Sequence, residues 1–197
     1  MIFATDGAVD KILSGEKTQT RRLVKEGECI FWNEDLNKIE AVNKIVKYSK
    51  DKKLKRLKMV KKWQVGRDYA VQTGRGKSGV WYCPKCKNSY GFDKSRKIIQ
   101  TSDFWYSLKR KKITPTISLF CYECKKSQIK PLRIVIKSIR KECLLDISDE
   151  DAKKEGYKER SDFLKDFCGI NKLTYHWKGL KACENPYVWV LDFGVKK

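Results

Sequence analysis

Two cysteine pairs constrain this chain more than any other feature. Cys83-Pro-Lys-Cys86 and Cys121-Tyr-Glu-Cys124 each place two residues between their thiols, and thirty-four residues separate the pairs. Two intervening residues let both thiolates of a tight turn face one metal, and two such turns close a tetrahedral four-cysteine site, the arrangement of structural zinc. Aromatic residues precede both knuckles, Trp81 and Tyr82 before the first and Phe120 before the second. Lysines follow directly, at Lys87 and at Lys125-Lys126. Neighbouring lysine lowers a thiol pKa and so favours the metal-binding thiolate. A redox CxxC needs only one such motif, so the doubling points to zinc on Cys83, Cys86, Cys121 and Cys124. An iron–sulfur cluster is the competing occupant. A stretch of about 50 residues between and around these knuckles has too little core to hold itself together without such a staple. Cys29, Cys143, Cys168 and Cys183 lack ligand spacing and read as buried thiols.

No apolar run approaches the roughly 20 residues of a membrane span. Asp6 and Asp10 interrupt the basic-then-apolar layout of a secretory signal. The expected compartment is therefore the cytosol, with no membrane partner, and there cysteines serve as ligands or buried thiols rather than disulfides.

The net charge of +21 over 197 residues is local. Residues 37–62 carry eleven Lys/Arg against two acids, and residues 83–133 carry thirteen against three. These two stretches supply +19 of the +21, so the remainder reads as a near-neutral domain holding two basic pieces. A surface laced with ion pairs needs both signs, so this excess points to a polyanion, nucleic acid before anionic membrane.

The residue pattern mixes helix and strand. Residues 7–14 suit a short helix, with Asp6 able to cap it and Gly15 at its end. Thr18, Thr20 and Arg22 alternate with Gln19 and Arg21 as in a strand. Leu36, Ile39, Val42, Ile45 and Val46 have helical spacing over 36–49, and the lysine-dense residues 50–62 continue that helix or form a basic loop. Tyr69 to Thr73 and Gly79 to Tyr82 read as strands around a Gly74-Arg75-Gly76-Lys77 turn. Between the knuckles, the aromatic stretch Phe104-Trp105-Tyr106 fits a β-hairpin or a short helix. Residues 131–141 suit a long strand, Ser148 a helix start, Ser161 a second helix start, and Tyr187 to Val195 a closing strand.

With the basic pieces set aside, the chain resembles the ASCH family, small β-barrels related to the PUA group of RNA-binding domains. Three blocks carry the resemblance. Gly15-Glu16-Lys17-Thr18-Gln19-Thr20-Arg21-Arg22 matches the signature G-x-K-T-x-T-x-R after a short helix. Ile147 to Tyr157, with the sequence ISDEDAKKEGY, follows a long strand, and Asn185 to Phe193 closes the chain. The resemblance implies an α+β fold, a PUA-like β-barrel with flanking short helices. The barrel would comprise residues 1–82 and 131–197, with a basic helical insertion at about 37–62. A zinc module would be inserted at 83–130. The minimal family domain lacks both insertions.

Three functions follow as expectations. The resemblance implies RNA binding, with Arg21, Arg22, Arg75 and Lys77 as phosphate-facing residues. It also implies a hydrolase of the N4-acetylcytidine amidohydrolase type. Lys17 would then be nucleophile or charge stabiliser, Thr20 a hydrogen-bonding or attacking hydroxyl, and Glu155 the acid/base. Ribonuclease activity is implied for some relatives, although a single histidine, His176, excludes a paired-histidine mechanism. The third expectation is a structural role in an RNA–protein particle. Protein partners are not legible. Without the resemblance, Lys17 to Arg22 would read as a solvated edge strand.

Overall fold

The computed structural model describes residues 2–3, 7–48, 56–73, 79–87, 89–91, 98–101, 104–107, 124, 127–173 and 185–196. The fold is mixed α+β, mostly strands with a few short helices. In chain order the elements begin with β1 (Ile2–Phe3), α1 (Ala8–Ser14), β2 (Gln19–Leu23), β3 (Glu28–Asn33), β4 (Lys38–Tyr48) and β5 (Arg56–Gln64). There follow β6 (Asp68–Ala70), β7 (Gln72–Thr73), β8 (Val80–Tyr82), β9 (Ser89–Gly91), β10 (Ile98–Thr101) and β11 (Phe104–Ser107). The chain ends with β12 (Lys130–Pro131), β13 (Arg133–Cys143), α2 (Asp149–Lys154), α3 (Arg160–Asn171) and β14 (Tyr187–Val195). Among the described residues, no helix is long and apolar enough to cross a membrane.

The chain divides into two compact units. The first comprises Met1–Gly15, Asp68–Ile134 and Val195–Lys197, the second Glu16–Arg67 and Val135–Gly194.

In the first unit, α1 buries Ala8, Val9 and Ile12. It starts at Gly7 in the left-handed region (φ 69°), with no side-chain cap, rather than on a capping Asp6. Gly15, also left-handed (φ 86°), ends it, as a glycine there allows without Cβ strain. β8 lies between β12 and β9, and β1 pairs in parallel with β7. β10 and β11 form an antiparallel hairpin, with Gln100 opposite Trp105. The aromatic stretch between the knuckles is therefore strand, not helix.

The second unit has two sheets. β14 lies between β2 and β13, its Leu191 opposite Thr20 and its Asp192 opposite Gln19. The face of α3 carrying Phe163, Leu164, Phe167 and Cys168 packs with Val188 and Val190 of β14 and with Leu144, Ile147 and Ala152. Alternation along β14 and helical spacing along α3 bring these apolar positions together. α3 starts one residue before Ser161, with Glu159 at its N-cap.

The other sheet is the meander β3-β4-β5. The helix expected over 36–49 and continued through the basic segment is corrected here: Lys38–Tyr48 form β4 and Arg56–Gln64 form β5, while 49–55 lie outside the described residues. Ile39, Val42, Ile45 and Val46 are β-branched, which stiffens χ1 and favours a pleated surface over a helix. The turn before β4 supplies the deciding local signal. The side-chain oxygen of Asn33 accepts from the Leu36 N–H at 3.1 Å, and Asn37 adopts a left-handed φ of 45°. Asparagine suits both positions. The meander is anchored by Val42 and Trp63, which pair across the strands and are buried. Glu28 also anchors it, accepting from the Trp189 indole Nε1 at 2.7 Å and pairing with Lys62.

Candidate functional site

The signature turns Lys17 and Arg21 inward. Lys17 is 5% exposed, Arg21 1% and Glu155 4%, so the solvated edge strand is excluded. The C-terminal end of α2 receives this segment. The Thr18 N–H donates to the Lys154 carbonyl at 2.9 Å, and Glu155 occupies the C-cap. Ser148 caps the other end, its hydroxyl accepting from the Asp151 N–H at 3.1 Å. Lys17 Nζ lies 2.8 Å from Glu155 Oε2 and also donates to the Glu155 backbone carbonyl. A cation at a helix C-terminus meets carbonyls that no helical N–H satisfies.

Gln19 and Arg21 are two apart on β2 and so share a face. Arg21 Nη2 donates to Asp151 Oδ2 at 2.8 Å and to Glu142 Oε1 at 2.5 Å. Arg21 Nη1 lies 3.4 Å from Glu155 Oε1 and donates to Gln19 Oε1 at 2.6 Å. Gln19 Nε2 in turn donates to Asp192 Oδ1 at 2.7 Å. The guanidinium also sits 5.6 Å from the Phe163 ring centroid, against the apolar core. Arg140 completes the cluster, its Nη1 3.1 Å from Asp192 and its Nη2 2.5 Å from Asp151.

The Asp151 carboxylate is held ionised. Burial pushes the Asp151 carboxyl up, but donation from Arg21 and the charges of Arg140 and Arg21 outweigh it and leave its pKa below the ordinary value. Burial likewise pushes Arg140 down, and Asp151, Glu142 and Asp192 outweigh it and raise its pKa. Arg22 lies on the other face of β2. Desolvation lowers its pKa, with the charge of Glu155 acting in the opposite sense.

Arg21 was expected against phosphate; its guanidinium lies instead on three carboxylates. Lys17 and Glu155 meet directly. Thr20 is buried as well, but on the face of β2 opposite Gln19 and Arg21. Arg75, Lys77, Cys121, Cys183 and His176 lie outside the described residues. Glu142, Asp151, Arg140, Asp192 and Gln19 were not singled out from the sequence. Two signals could have found some of them. Asp151 and Glu155 are four apart and share a helical face, and Arg140 and Glu142 alternate on one strand.

In the first unit, the Sγ atoms of Cys83, Cys86 and Cys124 all lie within 4.8 Å of one another. Tetrahedral Zn–S bonds of about 2.3 Å place ligand sulfurs about 3.8 Å apart. The Cys83–Cys124 separation is 3.5 Å, close to that spacing and too long for a disulfide. The first knuckle is a closed turn, with the Lys87 N–H on the Cys83 carbonyl at 2.9 Å and Lys87 left-handed at φ 64°. That turn aims the Cys86 N–H at Cys83 Sγ, 3.5 Å away. Burial pushes the Cys83 thiol up, but backbone donation from Cys86 and Lys85 and contact with Cys86 and Cys124 bring it down to about 6. The three cysteines thus suit a metal ion that takes thiolates. Cys83 packs with Ile129, and Trp81 lies against this small cluster. Of the isolated cysteines, Cys168 is buried, whereas Cys29 and Cys143 are only half-buried.

No protein-family model, curated protein or solved structure matches the chain.

Proposed function

We propose that this is an RNA-binding protein of the ASCH type, with a PUA-like barrel and structural zinc on Cys83, Cys86, Cys124 and Cys121. The observation that carries the reading is the segregation of charge. Residues 37–62 and 83–133 supply +19 of the +21. The first stretch includes β4 and β5, where Lys38 and Lys61 stand exposed, and Lys85 and Lys87 stand exposed beside the cysteine site. The buried signature cations have carboxylate partners, so lysines outside the signature supply the charge for phosphate. Support for the ASCH type comes from the element order: α1, signature strand β2, long strand β13, α2 and closing strand β14. Zinc is favoured by the closed first knuckle and by a second CxxC in the sequence. Affinity for RNA that falls steeply with salt tests the reading. Binding that ignores salt would remove it.

Hydrolysis of an N-acylated cytidine is a second reading, favoured by the buried Lys17–Glu155 contact of 2.8 Å. Water would add to the acyl carbon, with Glu155 taking its proton and returning it to the departing cytidine amine. The Lys17 ammonium would steady the oxyanion. Wild type should then release acetate and cytidine from N4-acetylcytidine, and Lys17→Met should slow it by about 100-fold or more. Equal turnover by both proteins, or none by wild type, would sink this reading.

A further inference from the structure

The meander β3-β4-β5 has a face that its own unit leaves open. Register places Cys29, Asn43 and Lys61 in one row across the three strands, and Ile45 opposite Met59. Phe31, two residues beyond Cys29, shares their face. The 3.9 Å approach of Cys29 Sγ to Met59 Sδ agrees with that assignment. Phe31 is 55% exposed, Met59 63% and Ile45 44%, an apolar platform that the described residues of the second unit leave uncovered. Lys61 stands exposed in the same array, and Lys38 is exposed at the β3–β4 turn. The opposite face carries Ile30 and Trp32, 46% and 45% exposed, and there the buried Val42 and Trp63 and the Glu28 contacts anchor the sheet.

We infer that this face binds single-stranded RNA, bases resting on Phe31, Met59 and Ile45 and phosphates held by the lysines around them. The inference rests on the RNA-binding reading above and gives it a location apart from the signature residues. Charge decides the partner. Residues 37–62 carry eleven Lys/Arg and two acids, which suits a polyanion and repels most basic protein surfaces. An aromatic platform rimmed by lysine is the combination by which proteins hold single strands, because each base offers a π-face and duplex bases are already stacked. A sheet suits this better than a helix, since one face presents residues from three adjacent strands.

The test uses fluorescence anisotropy of the full-length protein with a labelled oligouridine and with an RNA duplex of equal length. Wild type should favour the single strand. Phe31→Ala should weaken it by about 5- to 150-fold, the range for losing one base–aromatic stack. Lys61→Gln should lower the slope of log affinity against log salt by about 0.7, one phosphate's worth on a single strand. Trp32→Ala, on the opposite face, should stay within about twofold of wild type. Wild type that binds the oligouridine, with Phe31→Ala unchanged or Trp32→Ala the weaker variant, overturns this surface and leaves the RNA-binding reading standing. Wild type that binds neither RNA overturns both. Wild type that ignores RNA but self-associates, with Phe31→Ala abolishing association, overturns the inference and assigns the face to protein.

Discussion

Arg21 is the residue on which the second unit's polar interior turns. Its guanidinium touches Glu142, Asp151 and Glu155, and one of its faces approaches Phe163. Removing one partner from a buried ionic network leaves the others desolvated and unpaired, at a cost of about 3–5 kcal/mol. Arg21→Met should therefore lower unfolding free energy by about that amount, measured by denaturant titration near neutral pH. The same titration repeated toward acid has a definite sign. Asp151 and Glu28 have folded pKa values below their ordinary ones, because donors and cations outweigh burial. The stability they confer is present above about pH 4, the ordinary carboxylate range, and is lost as pH falls through the lower folded values. In Arg21→Met the folded pKa of Asp151 rises toward its ordinary value, so less of the stability should be lost on acidification, from an already lower starting point. A variant as stable as wild type, with the same acid midpoint, would show that Arg21 does not hold the cluster. Lys17 and Glu155 were legible only through the family resemblance, from its first and second blocks, and the structure brings them together. The partners of Arg21 were not, because Glu142 and Asp151 lie 121 and 130 residues away in the chain. Alternation fixes which face a strand residue occupies, but not what meets it there.

At the scale of elements, the sequence was legible wherever local chemistry and packing agree. Gly15 ends α1, Ser148 caps α2, and the closing strand runs from Tyr187 to Val195 as its pattern suggests. The basic segment was not legible, because Ile39, Val42 and Ile45 satisfy helical spacing as well as a place on a bulged strand. A bulge of β4 at Glu40, opposite Phe31–Trp32, and one of β5 at Lys62, opposite Val42–Asn43, break strict alternation and so hide the period of two. The asparagines at 33 and 37 carried the missing turn signal. The knuckles show the opposite case, where spacing alone brought Cys83 and Cys86 to one point and added Cys124 from far along the chain. Elemental analysis of purified protein should find one zinc per chain, and Cys83→Ser should lose it. Metal-free wild type would end the zinc assignment.

Across the whole molecule, the surplus positive charge and the buried signature cations lie in different parts of the chain. Lys17 and Arg21 of the signature are buried against carboxylates, while the surplus of positive charge lies in two stretches outside the signature. Net charge was fully legible from composition, but its division of labour required knowing that Lys17 and Arg21 point inward. The same division predicts that affinity and any chemistry respond to different substitutions, with Lys61 affecting binding and Lys17 affecting turnover. The most direct test of the account is the equilibrium affinity for single-stranded RNA between about 50 and 200 mM salt. Neutralising six or so phosphates predicts a slope of log affinity against log salt of about −4. A slope near zero, or no binding at the lowest salt, would contradict it.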